Sequence, residues 1–396
     1  MEQARPRGVG QGHPFWTLFM ILRPSRFALL AALPLLGVSA CGDRDREQPA
    51  TEAASPASDE ASRLRDSIES ATFTPPESDD DNGSTTDGSS DGQDGIGASS
   101  EPDRGGAVAG ELEDARPEPA MVRAQILLDR TRFSPGIIDG LGGENSRQAI
   151  AAFQEAHDLE VTGELSAEVF EQLTSGDTDR VLTDYTITEE DAAGPFIGEV
   201  PDDMQALGEL ETVGYADARE ALAEKFHMSP DLLDALNPDV DFGRAGQTIV
   251  VASTGSAEMD GEVARVVVNK EESSVRAFDS DGDLLAFYPA TIGSGETPSP
   301  SGTHTVRAVA PEPNYTYDPS RLSSSSGGSA VVIPPGPNNP VGSVWIDLSR
   351  DTYGIHGTPD PADIGKTASS GCVRLTNWDA EHLAAAVEQG VEVEFI

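Results

Sequence analysis

Only two cysteines, Cys41 and Cys372, occur in 396 residues, which rules out a framework of several disulfides. No HExxH or CxxC pattern occurs, so the common zinc signatures are missing and no metal or cofactor is expected. Histidine appears six times and aromatics make up 6% of the chain. Basic residues are few: 26 Lys and Arg stand against 69 Asp and Glu, a net charge of −43. With no basic stripe, nucleic acid is not an expected partner. No apolar run reaches the roughly 18 residues that a membrane-spanning helix needs.

The longest apolar run, "FALLAALPLLGV", suits a signal-peptide core, and Arg23 and Arg26 supply its positive flank. It ends in Val38-Ser39-Ala40-Cys41-Gly42, which resembles a bacterial lipobox with Cys41 as the lipidated residue. Residues 1–41 are therefore expected to be a lipoprotein signal, with Met20 as the true start. That implies export and a membrane lipid anchor facing the periplasm, at an outer membrane if the cell has one, because Gly42 is not Asp. Residues 42–117 are almost entirely Asp, Glu, Ser, Gly, Pro, Thr and Ala, so they are expected to be a disordered acidic linker. A flexible coil of about 75 residues has an r.m.s. span of roughly 50 Å.

Three folded segments are expected beyond it. Residues 118–175 read as a three-helix unit, with Val122, Ile126 and Leu127, then Ile150 and Phe153, then Val169, Phe170 and Leu173 on its apolar faces. Residues 182–252 contain "EALAEKF" and a helix started by Ser229-Pro230 and stopped by Asn237-Pro238, then a strand in "GQTIVVAS". From 262 to 396 the texture is β, with Asp281-Gly282 as a hairpin signal and "DAEHLAAAVEQ" as one late helix. Residues 311–342, with Tyr315, Tyr317 and Arg321, are too long for a plain connector and read as a lid over a site.

If Cys41 is lipidated, Cys372 is the one free thiol in an oxidising compartment. It follows Ser369-Ser370-Gly371 and lies beyond His356. A buried structural cysteine is the plain alternative. A zinc site lacks ligands, since only Asp360 and Asp363 are near. A nucleophile needs a base and an oxyanion site. His356 could supply the base if its strand pairs beside Cys372. The N–H groups of Cys372 and Gly371, with Ser370, could bind an oxyanion. A thiol paired with histidine is expected to have a lowered pKa.

"YGIHGT", a spacer and "SSGCVRLTN" closely resemble the active-site signature of the L,D-transpeptidase family, whose catalytic domain is of the YkuD type. "TPSPSG" and "NPVGSVWIDL" are further marks, and the likeness covers roughly 262–396. "FSPGIIDGLGGENSRQAIAAFQEAHDLEVTGEL" resembles a peptidoglycan-binding domain, and 182–252 resembles a degenerate LysM segment. The implied fold is multi-domain: a mostly β catalytic domain after a three-helix binding domain and a small α/β segment. The implied activity is a cysteine acyltransferase that forms 3→3 peptidoglycan crosslinks through a thioester and releases D-alanine. Crosslink hydrolysis, attachment of an envelope protein, or a decayed binding lipoprotein are the alternatives. The family assigns Cys372 as nucleophile and His356 as base, with the Gly357 carbonyl orienting the imidazole. It implies that Arg374 holds a donor carboxylate or shapes the oxyanion loop and that Tyr353 and Ser369 line the site; a structural salt bridge is the plain alternative for Arg374. Many members have His where Ser370 stands. The implied partners are peptidoglycan stem peptides and glycan, and the oligomeric state is open. His227, His304 and His382 are read as packing or surface residues, His157 as a helix-terminal residue, and Trp345 and Trp378 as core.

Overall fold

The computed structural model describes residues 55–73, 116–175, 177, 179–255, 259, 261–293, 297–321, 329–369 and 371–396. The signal segment, Met20, Cys41 and Ser370 lie outside the described residues.

Helix α1 (Pro56–Ser70) starts at Ser55, whose side chain accepts from the Ser58 N–H, and buries Ala61 and Ile68. Arg65 donates to the Leu236 carbonyl and Glu69 accepts from the Leu182 N–H at 2.9 Å. The expectation of disorder across 42–117 therefore fails for 55–73. The mean composition of that stretch hides an amphipathic turn pattern with Ala61, Leu64 and Ile68 on one face.

Helices α2 (Pro119–Arg130), α3 (Glu144–Ala156) and α4 (Ala167–Ser175) bury every residue expected of the three-helix unit. Two buried glutamines fix its loops. Gln125 accepts from the Gly140 N–H at 2.7 Å, and Gln154 accepts from the Gly163 N–H at 2.8 Å. Both glycines have positive φ, at 76° and 71°, which a side chain would resist.

Strand β1 (Leu182–Thr186) opens the next segment. After it come α5 (Glu189–Ala193), α6 (Met204–Gly208), α7 (Ala218–Lys225), α8 (Pro230–Leu236) and β2 (Thr248–Ala252). The two strands pair antiparallel, Leu182 opposite Ala252. Ser229 caps α8 through the Leu232 N–H at 3.1 Å. The opening strand and the short helices α5 and α6 between β1 and α7 were not legible in the sequence.

The last segment holds β3 (Arg265–Asn269), β4 (Ser274–Phe278), β5 (Leu284–Pro289), β6 (Gly302–Pro311), β7 (Tyr315–Tyr317), β8 (Val331–Ile333), β9 (Val344–Leu348), β10 (Gly354–His356), β11 (Val373–Arg374), α9 (Asn377–Ala386) and β12 (Glu392–Phe395). Eight of these strands form one sheet in the order β11-β10-β9-β6-β12-β3-β4-β5, and β7 and β8 form a separate hairpin. The domain is mostly β with one late helix.

The segments share backbone pairing. Ser134 N–H donates to the Phe287 carbonyl and Phe287 N–H to the Arg132 carbonyl, both at 2.9 Å, so the helical unit covers the β5 edge. Phe287, a strand residue, is buried in the helical core. Ile138 N–H donates to the His227 carbonyl at 2.8 Å, and Ser229 N–H to the Ile138 carbonyl at 2.9 Å.

Candidate active site

The β11 end of the sheet carries the candidate residues. Strands β10 and β11 run parallel, with Ile355 opposite Val373 and His356 opposite Arg374. Side chains alternate along a strand, so Cys372, Arg374 and His356 present to one face. The pairing that this base–nucleophile reading needs is present.

His356 is buried, and its Nδ1 lies 2.7 Å from the Gly357 carbonyl. That carbonyl can only accept, so Nδ1 carries the proton and Nε2 is the basic nitrogen. The Trp345 ring stacks on the imidazole at 5.3 Å with 16° between planes. Trp345 is half-buried and belongs to the site, not simply to the core as expected. Burial lowers the His356 pKa to about 4; the Gly357 carbonyl opposes this and the Arg374 charge adds to it.

The Cys372 thiol donates to the Thr352 carbonyl at 3.7 Å. Burial raises its pKa, while the Gly354 N–H and the Arg374 charge lower it. The expected lowering is therefore corrected: desolvation outweighs both. At neutral pH the resting pair is a thiol and a neutral imidazole.

The turn before Cys372 is held from two sides. Ser369 Oγ accepts from the Gly371 N–H at 3.1 Å and also donates to the Cys372 carbonyl. Ser299 Oγ donates to the Gly371 carbonyl at 2.7 Å and accepts from the Gly293 N–H at 3.0 Å. Two expectations change here. The Gly371 N–H is engaged by Ser369, so it is not available to an oxyanion. Ser369 is 4% exposed and braces the turn instead of lining an open site. Among the described residues nothing accepts from the Cys372 N–H. Gly371 has φ +113°, and a Cβ there would meet Tyr353 Cε1 at 3.0 Å. Tyr353 thus packs on the turn, half-buried.

Arg374 makes no salt bridge among the described residues, so the structural alternative for it has no support there. Its charge acts on Cys372, His356, Asp360 and Tyr315. Tyr315 comes from the β7–β8 hairpin. Burial raises its pKa, and the charge of nearby Cys372 raises it further. The lid expectation pointed to this stretch without assigning Tyr315 a place. The hairpin is clamped by the segment between β1 and α7: Leu207 and Val213 pack on Ile333, and Val213 N–H donates to the Pro335 carbonyl at 3.0 Å.

The remaining histidines lie elsewhere. His227 stacks on Trp378 at 5.0 Å and contacts Asp129 at 3.0 Å. His382 is not a surface residue: its Nδ1 lies 2.7 Å from the Tyr288 hydroxyl, and burial lowers its pKa to about 4. His304 meets the Phe395 ring at 5.7 Å, and His157 Nδ1 lies 2.8 Å from the Phe153 carbonyl at the end of α3. Ser299 and Asn377, which both touch the site's turns, were not assigned from sequence. Among the described residues no group of three or more His, Cys, Asp or Glu could hold a metal.

Comparison with known proteins fits this geometry. Residues 264–394 match the "L,D-transpeptidase catalytic domain" and residues 117–173 the "Putative peptidoglycan binding domain". The chain is 31% identical over 176 residues to "Putative L,D-transpeptidase YkuD" of Bacillus licheniformis, covering 44% of this chain and 90% of that protein. It is 28% identical over 182 residues to the Bacillus subtilis protein of the same name, covering 46% and 94%. A solved structure, "L,D-transpeptidase from Mycobacterium smegmatis", shares 20% identity over 38% of this chain and 63% of that one, with a TM-score of 0.28. The assignment rests on the sequence matches. The chain belongs to the L,D-transpeptidase family.

Proposed function

We propose that the chain is a cysteine acyltransferase that forms 3→3 crosslinks between peptidoglycan stems. The placement of Cys372 and His356 on one face of β10–β11, with His356 Nδ1 tied to the Gly357 carbonyl, carries the reading. Rotation about the Cys372 side chain moves Sγ from Thr352 toward His356 Nε2. Nε2 takes the thiol proton as sulfur attacks the carbonyl of the third donor residue. The oxyanion faces the Cys372 N–H. Collapse breaks the amide, the imidazolium protonates the departing D-alanine amine, and a thioester remains. An acceptor side-chain amine then attacks, its proton passes to His356, and the thiol re-forms. Arg374 binds a donor carboxylate.

Localisation follows from sequence alone: we propose export and lipid anchoring at Cys41, with the peptidoglycan-binding unit at the wall. Loss of lipid labelling in Cys41→Ala checks it, and unchanged labelling refutes it.

The functional test is incubation of the protein with disaccharide-tetrapeptide and mass spectrometry, with Cys372→Ala beside it. A dimer lacking one D-alanine is expected, and none from the variant. D-alanine loss without a dimer would point to hydrolysis. Retention of the dimer in Cys372→Ala would refute the thioester.

A further inference from the structure

We infer that Glu224, on α7 and outside the catalytic domain, is a positioning residue for His356 that acts through the side-chain amide of Asn377. The inference rests on the reading of His356 as the base.

Asn377 opens α9 and is 2% exposed. Its Oδ1 accepts from the Thr358 and Ser343 N–H groups, each at 3.1 Å. Its Nδ2 donates to Glu224 Oε1 at 2.8 Å and to the Pro337 carbonyl at 3.1 Å. All four positions of the amide are filled, so its orientation is set and cannot flip without opposing donor to donor. The amide lies against Gly342 and Gly357, and a Cβ on either would overlap Oδ1. It therefore sits inside the turn Gly357–Thr358, which also carries the carbonyl that holds His356 Nδ1.

Glu224 is the one side chain among the amide's four partners, the others being backbone groups. It also accepts from the Tyr215 hydroxyl at 3.3 Å. Burial raises its pKa to about 7, with Glu220 and Glu381 adding to the rise. His227 also feels its charge. Either protonation state keeps an oxygen that can accept from Asn377. Removing that oxygen leaves a buried N–H unpaired, which favours a shift of the amide. The shift is transmitted to the Gly357 carbonyl. The segment before the catalytic domain thus completes the support of the base, whatever else it binds.

The test uses the full chain with ring-labelled histidine. Glu224→Gln, Glu224→Ala, the volume-keeping Glu224→Met, Asn377→Ala and the double variant Glu224→Ala/Asn377→Ala are compared. Three quantities are read: thermal midpoint, the pH titration of the His356 ring signals, and the rate of Cys372 acylation by a carbapenem. Glu224→Ala and Glu224→Met are expected to slow acylation roughly tenfold, in the range a small misplacement produces, and to shift the His356 titration. Glu224→Gln, which keeps an acceptor, should leave both at wild-type values. The double variant should be no slower than Asn377→Ala, because both act through one contact. Unchanged His356 signals and rate in Glu224→Met would overturn the inference, even with a lower midpoint. Additive losses in the double variant would also overturn it. If wild type is not acylated, the proposed chemistry fails, and the His356 titration alone decides the positioning role.

Discussion

The Trp345 and His356 rings lie nearly parallel, 5.3 Å apart, and the indole covers one face of the imidazole. Burial is the main reason that the His356 pKa falls to about 4, so uncovering the ring should let it climb back toward 6.5. In Trp345→Leu, the acid limb of the acylation rate should move upward in pH. At pH 5.5 the variant should lose more activity than at pH 7.5, because more of its base is protonated. A limb that stays near its wild-type position would mean that Trp345 does not control the hydration of His356.

Cys372 has the opposite sign. Burial holds its thiol above its ordinary pKa, so the free protein should hold little thiolate at pH 7. Alkylation by iodoacetamide should be slow at neutrality and keep rising beyond pH 9. Acylation by a carbapenem, which in the proposed chemistry draws on His356, should already be effective at pH 7. In His356→Ala, acylation should fall by roughly 10²–10⁴-fold, while alkylation at high pH changes little. A plateau of alkylation below pH 7 would instead indicate a thiolate–imidazolium pair.

Asp379 is 3% exposed, accepts from Ser134 Oγ at 3.0 Å, and has a pKa raised by burial to about 7. Its folded pKa exceeds the ordinary 3.8, so the fold favours the neutral acid. The stability it contributes is complete below about 3.8 and is lost as pH rises through about 7. Asp379→Asn keeps an acceptor for Ser134 without the charge. The thermal midpoint of the variant should therefore gain on wild type between pH 4 and pH 8. A difference that is flat over that range would show that Asp379 ionises without cost.

Local spacing was enough for the parts of the protein that depend on neighbours in the chain. The apolar faces built on Val122, Ile150 and Val169, the Ser229 cap and the His356–Cys372 signature all lie within a few turns or one short loop, where helical period, capping chemistry and strand alternation decide the outcome. Helix α1 escaped because its Ser-rich, acidic surroundings outweigh a single apolar face in any compositional average. The sign of the Cys372 shift escaped because burial is not a local property. Ser299, Asn377 and Glu224 could not be assigned because their partners come from distant parts of the chain, and Trp345, read as core, faces His356 only through the pairing of β9 with β10. Ser299 reaches a carbonyl 72 residues away and Glu224 reaches Asn377 across 153 residues. Residue order alone set out the chemistry on offer: a cysteine, a histidine 16 positions before it, and a glycine turn between them. Folding fixed which groups are dry, which N–H groups are already engaged, and which helper side chains reach the turn beside the base. Those properties come from the packing of separate segments against one another.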